Sequence, residues 1–237
     1  MIRKIIPSNI KIKIHLLRNF ILDSIRGYSF SYAKKQQTKF DFQFSFSISQ
    51  ELKPNDAKKQ NLKVAIQSIE TLIIKPNEIF SFWKIIGNPT LKKGYIESRS
   101  LVNGEIKPSV GGGLCQLSGL IYYISLYANL EIIERHNHSR DIYTNETRFT
   151  PLGSDATVAF GYKDLKIRNN LQTPIKFTFL ITDKRLTIHL HHAKEIEKNS
   201  IKFEDEITND NIIKVKTLIN KKVKYQSIYK KYIPNNV

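Results

Sequence analysis

Residues Gly111-Gly112-Gly113-Leu114-Cys115-Gln116-Leu117-Ser118-Gly119-Leu120-Ile121-Tyr122-Tyr123-Ile124-Ser125-Leu126-Tyr127-Ala128 decide how this chain folds. Leu117, Leu120, Ile121, Ile124 and Tyr127/Ala128 recur at helical spacing with no charge between them, so Leu114 to Ala128 reads as a largely buried helix that stops at Asn129. A helix apolar on most sides needs cover on most sides. Upstream, Phe40, Phe42, Phe44, Phe46 and Ile48 alternate with Asp41, Gln43, Ser45 and Ser47, the period of a strand with one buried face. After Pro54, Asn55 or Asp56 caps a helix whose stripe is Leu62, Ala65, Ile66, Ile69 and Leu72/Ile73. Lys75-Pro76-Asn77-Glu78 then turns into a short aromatic strand, Ile79-Phe80-Ser81-Phe82-Trp83.

Residues 87–113 are rich in Gly, Pro, Asn and Lys and read as a long irregular segment with one strand, Ser98 to Val102, before an Asn103-Gly104 turn. Downstream of the helix come a strand from Glu131 to Arg135 and a meander: Ala156 to Phe160, Leu165 to Arg168, Ile175 to Ile181 and Arg185 to His191, with turns at Asn169-Asn170 and Asp183-Lys184. Helices dominate the first half and strands the second. The expected class is α+β, with a mixed, mainly antiparallel sheet around the Cys115 helix. Lys194 to Asn211 reads as a surface connection and Ile212 to Val237 as a hairpin or an arm.

A chain of 237 residues, 41% hydrophobic and 25% charged, suits one globular domain with extensions. The expected division is a basic helical segment at 1–39, a core domain at 40–192 and a lysine-rich segment at 193–237. The net charge of +17 is concentrated at the ends: residues 1–39 set nine Lys/Arg against Asp23 alone, and residues 212–237 hold seven Lys and no acid. Trimming residues 1–11 or 226–237 is therefore expected to spare the central fold. Neither aromatic-basic interleaving nor a known motif accompanies the lysines, so nucleic-acid binding is not expected.

Ile14, Leu17, Ile21 and Ile25 form the stripe of a basic amphipathic helix that Gly27 ends. Such a helix either packs on its own domain, the commoner use, or lies on an anionic membrane. No run of about 18 uncharged apolar residues is present, and charges interrupt the first 30 residues, so neither a span nor a signal segment is expected. The expected location is the cytosol, peripherally at the inner membrane face. A single cysteine excludes an intramolecular disulfide framework.

That cysteine, Cys115, follows three glycines at a helix start. Unpaired N–H groups and the helix dipole favour a thiolate there, and the glycines let a ligand approach bare backbone. The backbone amides of Gly113, Leu114 and Gln116 are candidate oxyanion donors, with the Gln116 side chain as another. A thiolate nucleophile takes a base and the base an orienting group. His136 and His138 are the candidate bases and Asp155 the orienting carboxylate. Alternation in Arg135-His136-Asn137-His138 places both rings on one side, leaving one of them structural. Gly111, Gly112, Ser118, Arg135 and His136 are candidate ligand contacts. The order of Cys, His and Asp is that of papain-like and transglutaminase-like thiol enzymes, an analogy of order alone. His189, His191 and His192 read as packing or surface residues, and no zinc-type spacing joins Cys115, His136, His138 and Asp155, so neither metal nor cofactor is expected. Two other uses of these residues stay open: Cys115 as a small buried hydrophobe, and the glycine-rich turn as a non-catalytic anion seat.

Five motifs in order carry a family resemblance: Lys75 to Trp83, Gly111 to Ser118, Ile132 to Arg135 leading to His138, Gly153-Ser154-Asp155-Ala156-Thr157-Val158, and Asp164 to Asn169. Across roughly Phe40 to His191 the chain resembles the VanW family of bacterial proteins, named for gene clusters of inducible glycopeptide resistance in which it is an accessory component. The resemblance implies a bacterial cell-envelope context without an assigned reaction. It matches His138, rather than His136, and Asp155 to the family's histidine and aspartate. Lys-Pro-Asn-Glu stands where many relatives read Pro-Gly-Glu, and the membrane anchor of many relatives has no counterpart in the sequence. The expected activity is a cysteine-dependent acyl hydrolase or transferase acting on a cell-wall-related amide or ester. The alternative is a binding module for an anionic envelope ligand, docked at a membrane surface.

Overall fold

The structure, a computed structural model, describes residues 7–35, 40–102, 105–141, 148, 150–208 and 211–231. The Asn103-Gly104 turn lies outside the described residues. The chain opens with helix α1 (Ser8–Ile25), which Gly27 leaves at φ 72°. Next come β1 (Phe44–Glu51), α2 (Asp56–Ile69), β2 (Ile79–Ser81), the short α3 (Phe82–Ile86), the hairpin β3 (Glu97–Val102) and β4 (Glu105–Val110), and α4 (Leu114–Tyr127). Strands follow: β5 (Glu131–Glu134), β6 (Arg140–Asp141), β7 (Lys166–Arg168), β8 (Ile175–Ile181), β9 (Arg185–His192), β10 (Ile201–Ile207), β11 (Ile212–Ile219) and β12 (Lys222–Lys231). They pair as β1-β9-β8, β2-β7-β5, β10-β11-β12-β6 and β3-β4. All the strand pairs are antiparallel except β12 with β6, so the class is α+β.

Helix α4 is the centre of the core. Its Leu117, Leu120, Ile121, Tyr122, Ile124 and Leu126 are buried with Leu62, Ala65 and Ile69 of α2 and with Phe177, Ile188 and Leu190 of the β1-β9-β8 sheet. At about 1.5–3 kcal/mol for each large apolar side chain removed from water, this packing fixes where α4 begins. Two polar side chains finish the job. Buried Asn61 donates to Gly112 O and Ile96 O, both at 3.0 Å, and accepts from Ile96 N at 2.8 Å, which holds the glycine turn. Gln50 of β1 donates to Gln116 O at 3.0 Å and ties the first helical turn to the sheet.

Several elements depart from the sequence pattern. The Phe-rich strand begins only at Phe44, and Phe46 and Ile48 are half-buried, because Phe44 stacks on the His192 ring at the sheet end instead of entering the core. Phe82 and Trp83 leave the predicted strand for α3, since the Ser81 hydroxyl accepts Lys84 N at 3.2 Å and caps a helix there. Residues 156–160 form no strand. Their carbonyls turn to α4, Ala156 O to the Ser118 hydroxyl at 2.6 Å and Val158 O to the Cys115 thiol at 3.6 Å, which leaves one bridge, Ala159 with Lys163. The predicted surface connection contains β10, whose Ile201 and Phe203 alternate inward, and the lysine-rich end forms the β11–β12 hairpin beside it.

Helix α1 is keyed to the sheet by one buried cluster. Lys166 donates to Asp23 Oδ1 at 2.7 Å and pairs with Glu134 Oε2 at 3.0 Å, while Tyr32 donates to Asp23 Oδ2 at 2.7 Å. No helix among the described residues is long and apolar enough to cross a membrane.

Candidate functional site

Cys115 is the second residue of α4. Gly113 precedes the helix at φ 102°, a left-handed conformation that glycine adopts without strain, and a Cβ there would meet Lys58 Cγ at 2.6 Å. The turn therefore needs glycine twice over. Gly119, one turn on, faces the backbone of residues 154–156, so that even an added Cβ would sit at ordinary contact distance, 3.5 Å, from Asp155 Cα.

The thiol is half-buried and donates to Val158 O. His138 donates from Nδ1 to Asp155 Oδ2 at 2.7 Å, and its backbone N–H reaches the same oxygen at 2.7 Å. With Nδ1 engaged, Nε2 is the nitrogen left for Cys115, and the two side chains line the same cleft. Burial opposes charge on His138, but the hydrogen bond to Asp155 and the nearness of Cys115 outweigh it and push the imidazole up to about 10. Burial likewise opposes charge on Asp155, yet His138 and the Arg135 guanidinium hold its carboxyl down at about 2.

The remaining oxygen of Asp155 is filled from two directions. Arg135 Nη2 donates to Oδ1 at 2.9 Å and Tyr229 Oη donates to it at 2.5 Å. Arg135 also donates to Asp155 O at 2.7 Å, Gly153 O at 2.9 Å and the Ser227 hydroxyl at 2.5 Å, and its guanidinium lies 4.9 Å from the Tyr122 ring centroid. Arg135, expected as a ligand contact, is thus a buried brace for the Asp155 segment.

Three further expectations change with the geometry. His136 donates to Glu134 Oε1 at 2.9 Å, on the side of the Lys166 cluster, because the chain leaves strand geometry at Glu134 and successive side chains no longer alternate. The Ser118 hydroxyl is buried on Ala156 O. Gln116 spends its side-chain amide on Glu51 O at 2.9 Å and its backbone N–H on Gly113 O at 2.9 Å, while Leu114 N–H turns to Gly111 O at 3.4 Å. The Cys115 N–H has no acceptor among the described residues, as expected for the second residue of a helix.

These groups open on a cleft of about 1430 Å³ lined by Gly111, Gly113, Cys115, His138, Thr157 and Tyr229, with Trp83, Phe160 and Tyr162 on one wall. Lys53 and Lys58 also line it. Burial, and then Lys53 nearby, pull the Lys58 ammonium below its ordinary range, and neither lysine has an acidic partner among the described residues. The Thr157 hydroxyl is buried without a hydrogen-bond partner among the described residues. Among the described residues no group of three or more His, Cys, Asp or Glu side chains is placed to hold a metal ion. His191 bonds Thr178 at 2.7 Å, and His192 is buried on Lys194 O.

Tyr229, Ser227 and Asn61 carried no signal in the sequence. Tyr229 and Ser227 sit in a lysine-rich alternating strand that looks like solvated surface, and Asn61 is one polar residue within a helical stripe. Trimming from residue 226 removes both Asp155 and Arg135 partners, contrary to the expectation that this end is dispensable.

Fold and site together define a class: an α+β protein in which a half-buried cysteine heads the central helix and faces a carboxylate-held imidazole. The chain belongs to the VanW family, since the family model described as "VanW like protein" matches residues 57–191. It is 34% identical over 121 residues to the uncharacterized protein YoaR of Bacillus subtilis, covering 51% of this chain and 38% of that protein. It is 32% identical over 126 residues to the vancomycin B-type resistance protein VanW of Enterococcus faecalis, covering 53% of this chain and 46% of that one. The chain thus aligns with less than half the length of either relative. No solved structure matches. Helix α1 and the β11–β12 hairpin lie outside the matched residues.

Proposed function

We propose that the chain is a cysteine-dependent acyl hydrolase or transferase acting on an amide or ester of a cell-wall-related molecule. One observation carries this reading: His138, held by Asp155, lines the same cleft as Cys115 at the head of α4. Asp155, Arg135 and protonated His138 together carry one positive charge, which a thiolate at Cys115 neutralises. The sulfur attacks the acyl carbon, and the carbonyl oxygen takes the electron pair against the Cys115 N–H and the positive end of α4. The tetrahedral species expels amine or alcohol, which leaves with the His138 proton. Water or an acceptor nucleophile then gives its proton back to His138 and attacks the thioester, and the thiolate departs. Lys53 and Lys58 suit an acyl substrate that also bears a carboxylate or phosphate. The papain-like order of Cys, His and Asp fits these roles, and the similarity to the vancomycin B-type resistance protein VanW of Enterococcus faecalis supports a setting linked to glycopeptide resistance.

Alkylation by iodoacetamide tests the pairing. A free thiol, with a pKa of about 8.5, is under about 1% ionised at pH 6, so a Cys115 paired with His138 stays fast there and His138→Ala slows it by roughly a hundredfold. At pH 10 the two proteins react alike, and His136→Ala matches wild type throughout. A wild-type thiol with the ordinary titration, indifferent to His138, refutes the enzyme and leaves the lysine-lined cleft as a non-catalytic anion seat.

A further inference from the structure

Helix α1 turns toward the protein the residues that its sequence pattern does not advertise. His15 lies 4.4 Å, ring to ring, from Tyr162, Asn19 donates to Gly161 O at 3.3 Å, and Asp23 is buried on Lys166 and Tyr32. These positions recur every four residues and form the inward face. At 100° per residue, Ile10, Ile14, Leu17, Ile21 and Ile25 fall on the opposite side of the cylinder. All five are between 45% and 77% exposed, and Phe30 just beyond the helix is 93% exposed. The helix does pack on its own domain, through His15, Asn19, Asp23 and the half-buried Ile12 against Gly161, and the apolar stripe on the other side is left in water.

An apolar stripe of this length, turned away from the domain, does not serve the core. Its borders are basic: exposed Lys13 lies on one side and exposed Arg18 on the other, and Arg26, Lys34 and Lys35 follow. Asp23 is the only acid among residues 7–35, and it is consumed by Lys166. A second copy of this helix seated on the stripe brings like charges together along both borders. An anionic lipid surface satisfies both features, taking the aliphatic side chains between acyl chains and the cations at the headgroups.

We infer that α1 is an interfacial docking helix that lays Ile10, Ile14, Leu17, Ile21 and Ile25 into the surface of an anionic bilayer. The Asp23–Lys166 pair fixes the rotation of the helix so that this stripe faces out. Tyr162, which touches His15, also lines the cleft, so docking holds the cleft about one helix diameter, ~10 Å, from the lipid. This inference stands independently of the chemistry assigned to Cys115.

Co-sedimentation of the full chain with vesicles tests it. Wild type is expected to bind phosphatidylcholine–phosphatidylserine vesicles, to bind pure phosphatidylcholine far more weakly, and to lose affinity in high salt. Leu17→Asp with Ile21→Asp, and separately Lys13→Glu with Arg18→Glu, are each expected to weaken binding at least about tenfold. Neither pair touches the core, so circular dichroism and the thermal midpoint stay at wild-type values. Wild type that ignores anionic vesicles overturns the inference, as does a stripe variant that is correctly folded and binds unchanged. Concentration-dependent dimers that vanish in the stripe variant, without vesicle binding, assign the face to a second copy and overturn it too.

Discussion

Asp155 is the residue on which the site turns, because one carboxylate holds His138, Arg135 and Tyr229 at once. Arg135→Ala leaves that carboxylate and the Ser227 hydroxyl short of a partner inside the protein. Removing one member of a buried ion pair costs about 3–5 kcal/mol, so a loss of this order in urea unfolding is expected. Arg135→Lys recovers little of it, since an ammonium cannot span Asp155, Gly153 and Ser227 together. The pH dependence follows from the two shifts. His138 is pushed from 6.5 to about 10, so its contribution is whole below 6.5 and is lost as pH rises through 10. Asp155 is held from 3.8 down to about 2, so its contribution is whole above 3.8 and is lost as pH falls through 2. The stability gap between wild type and Asp155→Asn is therefore expected to peak between about pH 4 and 6.5 and to shrink on either side, which unfolding midpoints across pH will show.

The deciding element is α4 with the glycine turn ahead of it. Asn61 and Gln50 hold this turn from two different elements, and Lys58 lies across Gly113. Gly113→Ala puts a methyl group where Lys58 Cγ stands and forces an L residue to φ 102°. A loss of about 1–3 kcal/mol is expected, along with slower alkylation of Cys115 at pH 6, because the helix start must shift. Gly27→Ala has a similar φ and nothing near its Cβ position, so it separates backbone strain from the clash with Lys58. The difference between the two variants in chemical denaturation measures the contact itself. Residues 156–160 make the complementary point, since their alternation reads as a strand but their carbonyls are used by Ser118 and Cys115.

Across the whole molecule, the site is assembled from parts far apart in the chain. Tyr229 belongs to β12, beyond the residues matched by the family model, yet it donates to Asp155. Tyr229→Phe removes one hydrogen bond to a charged group and is expected to cost about 1.5–3 kcal/mol. It should also lower the alkylation rate at pH 6, by loosening the carboxylate that holds His138. Ending the chain before Ile212 removes Ser227 and Tyr229 together. It should cost more than the point change in near-ultraviolet circular dichroism and in thiol reactivity, whereas an arm without contacts leaves both unchanged.

The α+β class, the buried helix with Cys115 at its head, the alternating strands Ile175–Ile181 and Arg185–His192, and the membership of His138 and Asp155 in one motif set were all legible in the sequence. Periodicity and glycine placement are local properties, and local sterics and side-chain spacing enforce them. Making Arg135 a brace, bringing in Tyr229 and Asn61, and turning the stripe of α1 outward depend on contacts between segments as much as 142 residues apart. The same pattern of Ile14, Leu17, Ile21 and Ile25 serves a core or a surface equally well. The buried Asp23–Lys166 pair and the contacts of His15 and Asn19, which tertiary structure creates, determine which way that helix faces.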